Sequence, residues 1–134
     1  MKKKYILSLD GGGVRTIATI TFLQKLENHL GVPLADKFDF FIGTSAGAIS
    51  SLGLAVNKMS AMDLMEIWSE ENLNRTMTNS SWETHLGIMQ INPKYTNEGK
   101  REVLEEFFGE KKIGDAVKPV AVTSYDIEKR IPVL

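Results

Sequence analysis

With 134 residues, a formal charge of −1 at pH 7, and 43% hydrophobic against 25% charged residues, the chain has the make-up of at most one soluble globular domain and not of a disordered tail. The near-balance of 16 basic and 17 acidic residues gives no general reason to expect a nucleic-acid binder. The absence of cysteine excludes disulfides, zinc–thiolate sites and cysteine nucleophiles, and two histidines, His29 and His85, are too few for most His-rich metal sites.

Lys2, Lys3 and Lys4 look like the basic start of a signal peptide, but the apolar run that follows ends at once on Asp10 and three glycines. A signal peptide needs roughly 7–15 apolar residues, so residues 5–9 read instead as a short buried strand of the parallel type. No segment approaches the roughly 18 apolar residues of a membrane-spanning helix. The expected location is therefore cytoplasmic or peripheral to a membrane.

After Gly11-Gly12-Gly13, the residues Val14, Ile17, Ile20, Leu23, Leu26 and Leu30 recur at steps of three or four, which predicts a helix closed by Gly31 and Pro33. The plan then repeats. Residues 38–42 predict a second strand, Gly43 to Gly47 a turn, and residues 48–56 a helix of small side chains. A third helix is expected from Ser60, where Asp63 completes a capping box, with Ala61, Leu64, Met65 and Trp68 as its apolar stripe.

Residues 72–94 show no sustained period and read as a long loop. Trp82, Ile88, Met89 and Ile91 make it either a lid or membrane-contact segment or a small cluster packed beneath the loop. A fourth helix is predicted over 97–108 and a strand over 119–123. Residues 126–130 turn the chain into a last strand beginning at Ile131. Strands alternating with helices imply an α/β fold with a mainly parallel central sheet and helices on both faces, a three-layer sandwich.

Two glycine turns carry the chemistry. In G-T-S-A-G, from Gly43 to Gly47, a serine sits between an apolar strand and a helix, so that its hydroxyl projects above the sheet. Gly43 and Gly47 form the elbow, because side chains there would collide with neighbouring backbone. The helix start beside Ser45 favours negative charge on a developing oxyanion. In D-G-G-G-V-R, from Asp10 to Arg15, three glycines bring backbone N–H groups toward an anion, and Arg15 adds a fixed cation. A dinucleotide fingerprint fails because Thr16 stands where its third glycine belongs, and no Walker loop is present. A nucleophile beside an oxyanion-binding turn is what acyl transfer needs.

Together D-G-G-G-V-R and G-T-S-A-G resemble the patatin-like phospholipase family, and Phe38-Asp39, Pro93-Lys94-Tyr95 and residues 123–127 add to the likeness. The resemblance implies a patatin-like three-layer α/β fold and a serine hydrolase of fatty-acyl esters in membrane phospholipid. It implies a Ser–Asp dyad with Ser45 as nucleophile and Gly11, Gly12 and Gly13 as the oxyanion loop. Arg15 would support that loop or meet a lipid phosphate. No metal or organic cofactor is implied. Thr16 departs from the family, which usually has glycine there.

The larger departure concerns the base. The family takes its aspartate from a D-G-[GA] motif downstream of the serine, whereas Asp63, Asp115 and Asp126 are followed by Leu64, Ala116 and Ile127. Asp10 reads as structural and His29 as solvated; Asp126 closes a strand, where a catalytic carboxylate can sit, but reads as a turn residue, and His85 reads as a loop histidine, the alternative being a Ser–His arrangement with Ser45. Residues 1–134 are thus expected to be the N-terminal part of a single catalytic domain, truncated at its C-terminal end, with the catalytic aspartate not in this chain. The isolated chain is expected to be inactive. The rival readings are a non-catalytic module for an anion or lipid headgroup, an acyltransferase on the same dyad, and an effector switched by a partner.

Overall fold

The computed structural model describes residues 3–77 and 98–134, which fall into two compact units: residues 3–65 with 111–134, and residues 66–77 with 98–110.

The first unit holds a four-stranded sheet in sequence order, β1 (Ile6–Leu9), β2 (Phe40–Thr44), β3 (Val120–Asp126) and β4 (Ile131–Val133). β1 pairs in parallel with β2, and β2 with β3. β4 returns antiparallel to β3 through a tight turn. This is a mainly parallel α/β arrangement with helices packed around the sheet. Only the final strand runs against the rest, because a turn at 127–130 is too short for a crossover helix.

The register pairs Leu9 with Gly43 and Gly43 with Val122, so these residues share one sheet face. Helix α3 (Ala46–Asn57) packs along β1, β2 and β3. It can lie close because Ala46, Gly47, Ser50, Ser51, Gly53 and Ala55 are small and buried. Phe41 and Leu54, both fully buried, fill the layer between sheet and helices.

Helix α1 (Thr16–Leu30) follows a single 3-10 turn over Gly13–Arg15 and ends at Gly31, whose φ of 65° makes the left-handed cap. Val14, expected to be the first residue of the helical stripe, therefore lies in that turn, just ahead of α1. A one-turn helix α2 (Leu34–Lys37) was not expected. It delays the second strand, because the Phe38 N–H still bonds to the Leu34 carbonyl and the Asp39 N–H to the Tyr5 carbonyl. The strand consequently begins at Phe40 and not at Phe38.

Helix α4 (Ala61–Ile67) starts on the predicted capping box: the Ser60 N–H donates to Asp63 Oδ2 at 2.8 Å, and the Asp63 N–H donates to Ser60 Oγ at 3.1 Å. Glu27 joins three helices. Its Oε1 accepts from the Leu34 N–H at 3.0 Å and its Oε2 from the Ala61 N–H at 2.9 Å, so one α1 carboxylate meets the starts of α2 and α4.

The second unit contains helix α5 (Glu70–Met77) and helix α6 (Glu98–Phe108). A helix over residues 72–77 corrects the expectation of a loop from Asn72. The segment's order comes from partners far along the chain, which periodicity does not register. Arg75 makes a two-pronged contact with Glu106, at 2.9 and 2.6 Å, and a third bond to Asn72 Oδ1 at 3.2 Å. Gly99 lies against the Arg75 carbonyl so closely that a Cβ would overlap its oxygen. His85 and the apolar residues 82, 88, 89 and 91 of the expected loop lie outside the described residues.

Candidate active site

The candidate residues lie at the C-terminal ends of the parallel strands β1 and β2. Ser45 sits between β2 and α3 with φ 53° and ψ −124°, a combination that L-residues avoid and tight strand-to-helix elbows impose. Its carbonyl accepts from the N–H groups of Ala48 at 2.9 Å and Ile49 at 3.3 Å, which closes the first turn of α3. The side chain of Ser45 makes no capping bond to that helix and the residue is exposed. A serine that serves only as a cap would spend its hydroxyl on the helix N–H groups. This one leaves them open.

Three glycines lock the elbow to the neighbouring strand. A Cβ on Gly43 would overlap the Gly47 oxygen and stand 2.6 Å from Ser51 Oγ. A Cβ on Gly47 would overlap the Leu9 oxygen, and one on Gly11 would reach Ser45 Cβ and the Thr44 oxygen at 3.0 Å. The turn after β1 and the turn after β2 therefore touch, backbone to backbone, with Gly11 against Ser45. Gly13 has φ 56° and opens the 3-10 turn that leads into α1. Arg15, exposed, folds back with Nε 3.5 Å from the Gly12 carbonyl, and its own N–H donates to the same oxygen at 3.2 Å. The guanidinium thus stands over the glycine turn.

Two helix starts converge on this spot, and neither the 3-10 turn nor α3 carries an acidic residue in its first turn. Their positive ends are not neutralised from within.

Comparison with known proteins places the chain in a family. A family model described as patatin-like phospholipase matches residues 7–132. The chain belongs to the patatin-like phospholipase family. Among similar proteins are a cGAMP-activated phospholipase of Pseudomonas aeruginosa, 37% identical over 88% of this chain, and Patatin-like protein 4 of Arabidopsis thaliana, 33% identical over 96%. Patatin group A-3 of Solanum tuberosum is 31% identical over 96% of the chain. In each case the patatin-like chain described here spans 35% of the relative's length.

The remaining candidates fall elsewhere. Asp126 is a turn residue at the end of β3: its Oδ1 accepts from the N–H groups of Glu128 at 3.0 Å and Lys129 at 2.9 Å. These bonds, led by that of Lys129, hold its carboxyl below the usual aspartate range. Asp63 is committed to Ser60, and Asp115 accepts from the Lys112 N–H at 2.8 Å. His29 is exposed on α1. Among the described residues no group of three or more His, Asp or Glu side chains is arranged to hold a metal ion, and no helix is long and apolar enough to cross a membrane.

A hydroxyl pair beside the elbow ties β2 to β3. Thr123 Oγ1 donates to Thr44 Oγ1 at 2.8 Å, joining β3 to the residue before Ser45. A hydroxyl at the last paired position of two adjacent strands is visible only once the register is known.

Proposed function

We propose that residues 1–134 are the N-terminal part of one patatin-like catalytic domain and carry the nucleophile and oxyanion hole of a serine lipid acyl hydrolase of the phospholipase A or esterase type. The observation that carries the reading is Ser45 at φ 53°, its hydroxyl unspent on its own helix, with Gly11 packed against it. Ser45 Oγ attacks the ester carbonyl carbon of a fatty-acyl chain, and its proton passes to a carboxylate. The backbone N–H groups of Gly11, Gly12 and Gly13 receive the oxygen on which charge develops. The alcohol leaves with a proton returned from the carboxylic acid. Water then adds to the acyl-serine, gives up its proton to the carboxylate, and releases the fatty acid and free serine.

No D-G-G or D-G-A follows Ser45 in the chain, so the carboxylate of the proposed Ser–Asp dyad comes from outside residues 1–134. Arg15 holds the glycine turn or meets the phosphate of the lipid. Membrane phospholipid is the substrate class, reached from the membrane surface. The phospholipases among the relatives support this choice.

The same missing motif favours a second reading, a binding module in which the glycine turns hold an anionic headgroup without turnover. A third fate of the same acyl-serine, transfer to an alcohol, differs only in the acceptor. Turnover of a chromogenic fatty-acyl ester tests all three. The isolated chain is expected to release no chromophore, and the same residues within a longer product bearing a D-G-G or D-G-A strand are expected to release it. Ser45→Ala abolishes that release. Turnover that survives Ser45→Ala overturns the nucleophile, and Ser45-dependent turnover by residues 1–134 alone overturns the external carboxylate. An inert longer product whose headgroup binding survives Ser45→Ala establishes the module. An added alcohol that accumulates as its ester marks a transferase.

A further inference from the structure

The outer side of α1 is not used by the serine elbow. Residues 14, 18, 22, 25 and 29 recur at steps of three and four and share one side of the helix and its leading turn. Val14, Ala18, Phe22, Lys25 and His29 are all exposed there, Val14 by 42% and Phe22 by 62%. The opposite side buries Thr16, Ile20 and Leu23. The one acid of α1, Glu27, does not reach the outer side, since both of its oxygens are bonded to the N–H groups of Leu34 and Ala61. The outer side therefore presents a large aromatic and a branched apolar side chain together with the charge of Lys25, with Arg15 over the glycine turn at its leading end, and α1 contributes no carboxylate to it.

We propose that this side of α1 docks on an anionic phospholipid surface, with Phe22 and Val14 entering the interfacial layer and Lys25 meeting lipid phosphates. The choice of occupant rests on the reading of the site as a lipid acyl hydrolase. It is supported by charge, because a face with cations and no α1 acid complements an anionic surface. It is supported by position too, because Val14 and Arg15 directly follow Gly13. A helix lying on the membrane by this side keeps the glycine turn at the lipid boundary, about 14 Å along its axis from Phe22 at 1.5 Å per residue.

Flotation of the 134-residue protein with phosphatidylcholine vesicles, with and without phosphatidylglycerol, tests the docking face without requiring turnover. The protein is expected to float with the anionic vesicles and to be released by salt. Phe22→Ser lowers the bound fraction about tenfold, and Lys25→Glu about fivefold or more. Ser45→Ala and Ile127→Ser, the latter an exposed apolar change on the β3–β4 turn, leave flotation unchanged. No flotation of the unaltered protein, equal flotation of the Phe22 and Lys25 variants, or an equal loss in Ile127→Ser overturns the proposal. Self-association in the absence of lipid that Phe22→Ser abolishes also overturns it, and assigns the face to a second copy. Phe22-dependent flotation of a longer product that shows no Ser45-dependent hydrolysis sinks the enzymatic reading alone. Hydrolysis without Phe22-dependent flotation sinks the docking face alone.

Discussion

The Cα of Gly47 lies so close to the main chain of Leu9 that a Cβ built on it would overlap the Leu9 oxygen and stand 2.6 Å from its carbonyl carbon. The contact joins the first turn of α3 to the end of β1, where the glycine turn begins. A methyl group here meets backbone, which cannot rotate away. Gly47→Ala is therefore expected to cost about 3 kcal/mol or more, at the upper end of overpacking effects. Gly114→Ala, with open space around its Cα, is the matched control and should move stability by less than about 0.5 kcal/mol. Urea midpoints of the two variants decide the matter, and similar midpoints would show that the elbow is not locked through Gly47.

A smaller effect of opposite sign is expected one turn further on. Ser51 is fully buried, and its Oγ has no hydrogen-bond partner among the described residues while facing the Cα of Gly43. The residue is there for size, since α3 must approach β2 closely, and its hydroxyl is a cost. Ser51→Ala keeps the close approach and removes the unsatisfied group, so thermal unfolding should show stability unchanged or raised by about 1 kcal/mol. Ser51→Val fills the same gap and should destabilise by about 2 kcal/mol.

Much of this was legible in the sequence, because the signals were local. Gly31 as a left-handed cap, the Ser60–Asp63 box and the serine between an apolar strand and a small-residue helix each depend on residues within a few positions of one another. What was not legible depends on partners far apart in the chain. The start of β2 is set by the Asp39 N–H bonding to the Tyr5 carbonyl, and α5 is held through Arg75 and Glu106. The Thr44–Thr123 pair likewise requires the register of β2 on β3. The reversal of β4 follows from the brevity of its turn, which a strand-and-helix alternation does not weigh.

Glu27 is such a long-range link, and its removal has a calculable direction. One carboxylate accepts from the helix-start N–H groups of Leu34 and Ala61 at 3.0 and 2.9 Å. Glu27→Ala leaves both donors without that partner and should cost about 2 kcal/mol, in line with hydrogen bonds to a charged group. Glu27→Gln retains one acceptor and should lose about half as much. Chemical denaturation of both variants checks the order, and an Ala variant no weaker than the Gln variant would mean that water replaces the carboxylate.

Asp39 should shape the acid limb of the stability curve. The Tyr5 N–H, 3.0 Å from its Oδ2, is the main cause holding its carboxyl below the ordinary value, and Lys4 at 3.1 Å is the next. A carboxyl with a lowered folded-state pKa binds its proton more readily in the unfolded chain. Its contribution is complete above the unfolded value, near about 3.9, and is lost as pH falls through the lower folded value. Asp39→Asn should therefore flatten the loss of stability below about pH 4 and leave the slope near neutrality unaltered. Urea midpoints across the acid range measure it, and parallel acid limbs would remove Asp39 from the account.

The strain at Ser45 should be recoverable as stability at the expense of the hydroxyl. Its φ of 53° and ψ of −124° differ from those of Lys58, φ 53° and ψ 34°, which ends α3 in the ordinary left-handed region. Only glycine occupies the Ser45 region readily, and a side chain there costs on the order of 1–3 kcal/mol. Ser45→Gly gives back part of that gain through the entropy of a freer unfolded chain, about 0.5–1 kcal/mol. The net expectation is a stabilisation of about 1 kcal/mol. Ser45→Ala keeps the Cβ, hence the strain, and should unfold close to the unaltered protein. The comparison isolates backbone strain from the loss of the hydroxyl, because both variants lack it. If Ser45→Gly and Ser45→Ala share one urea midpoint, the elbow stores no strain, and the exposed serine must owe its conformation to contacts that outlast its Cβ.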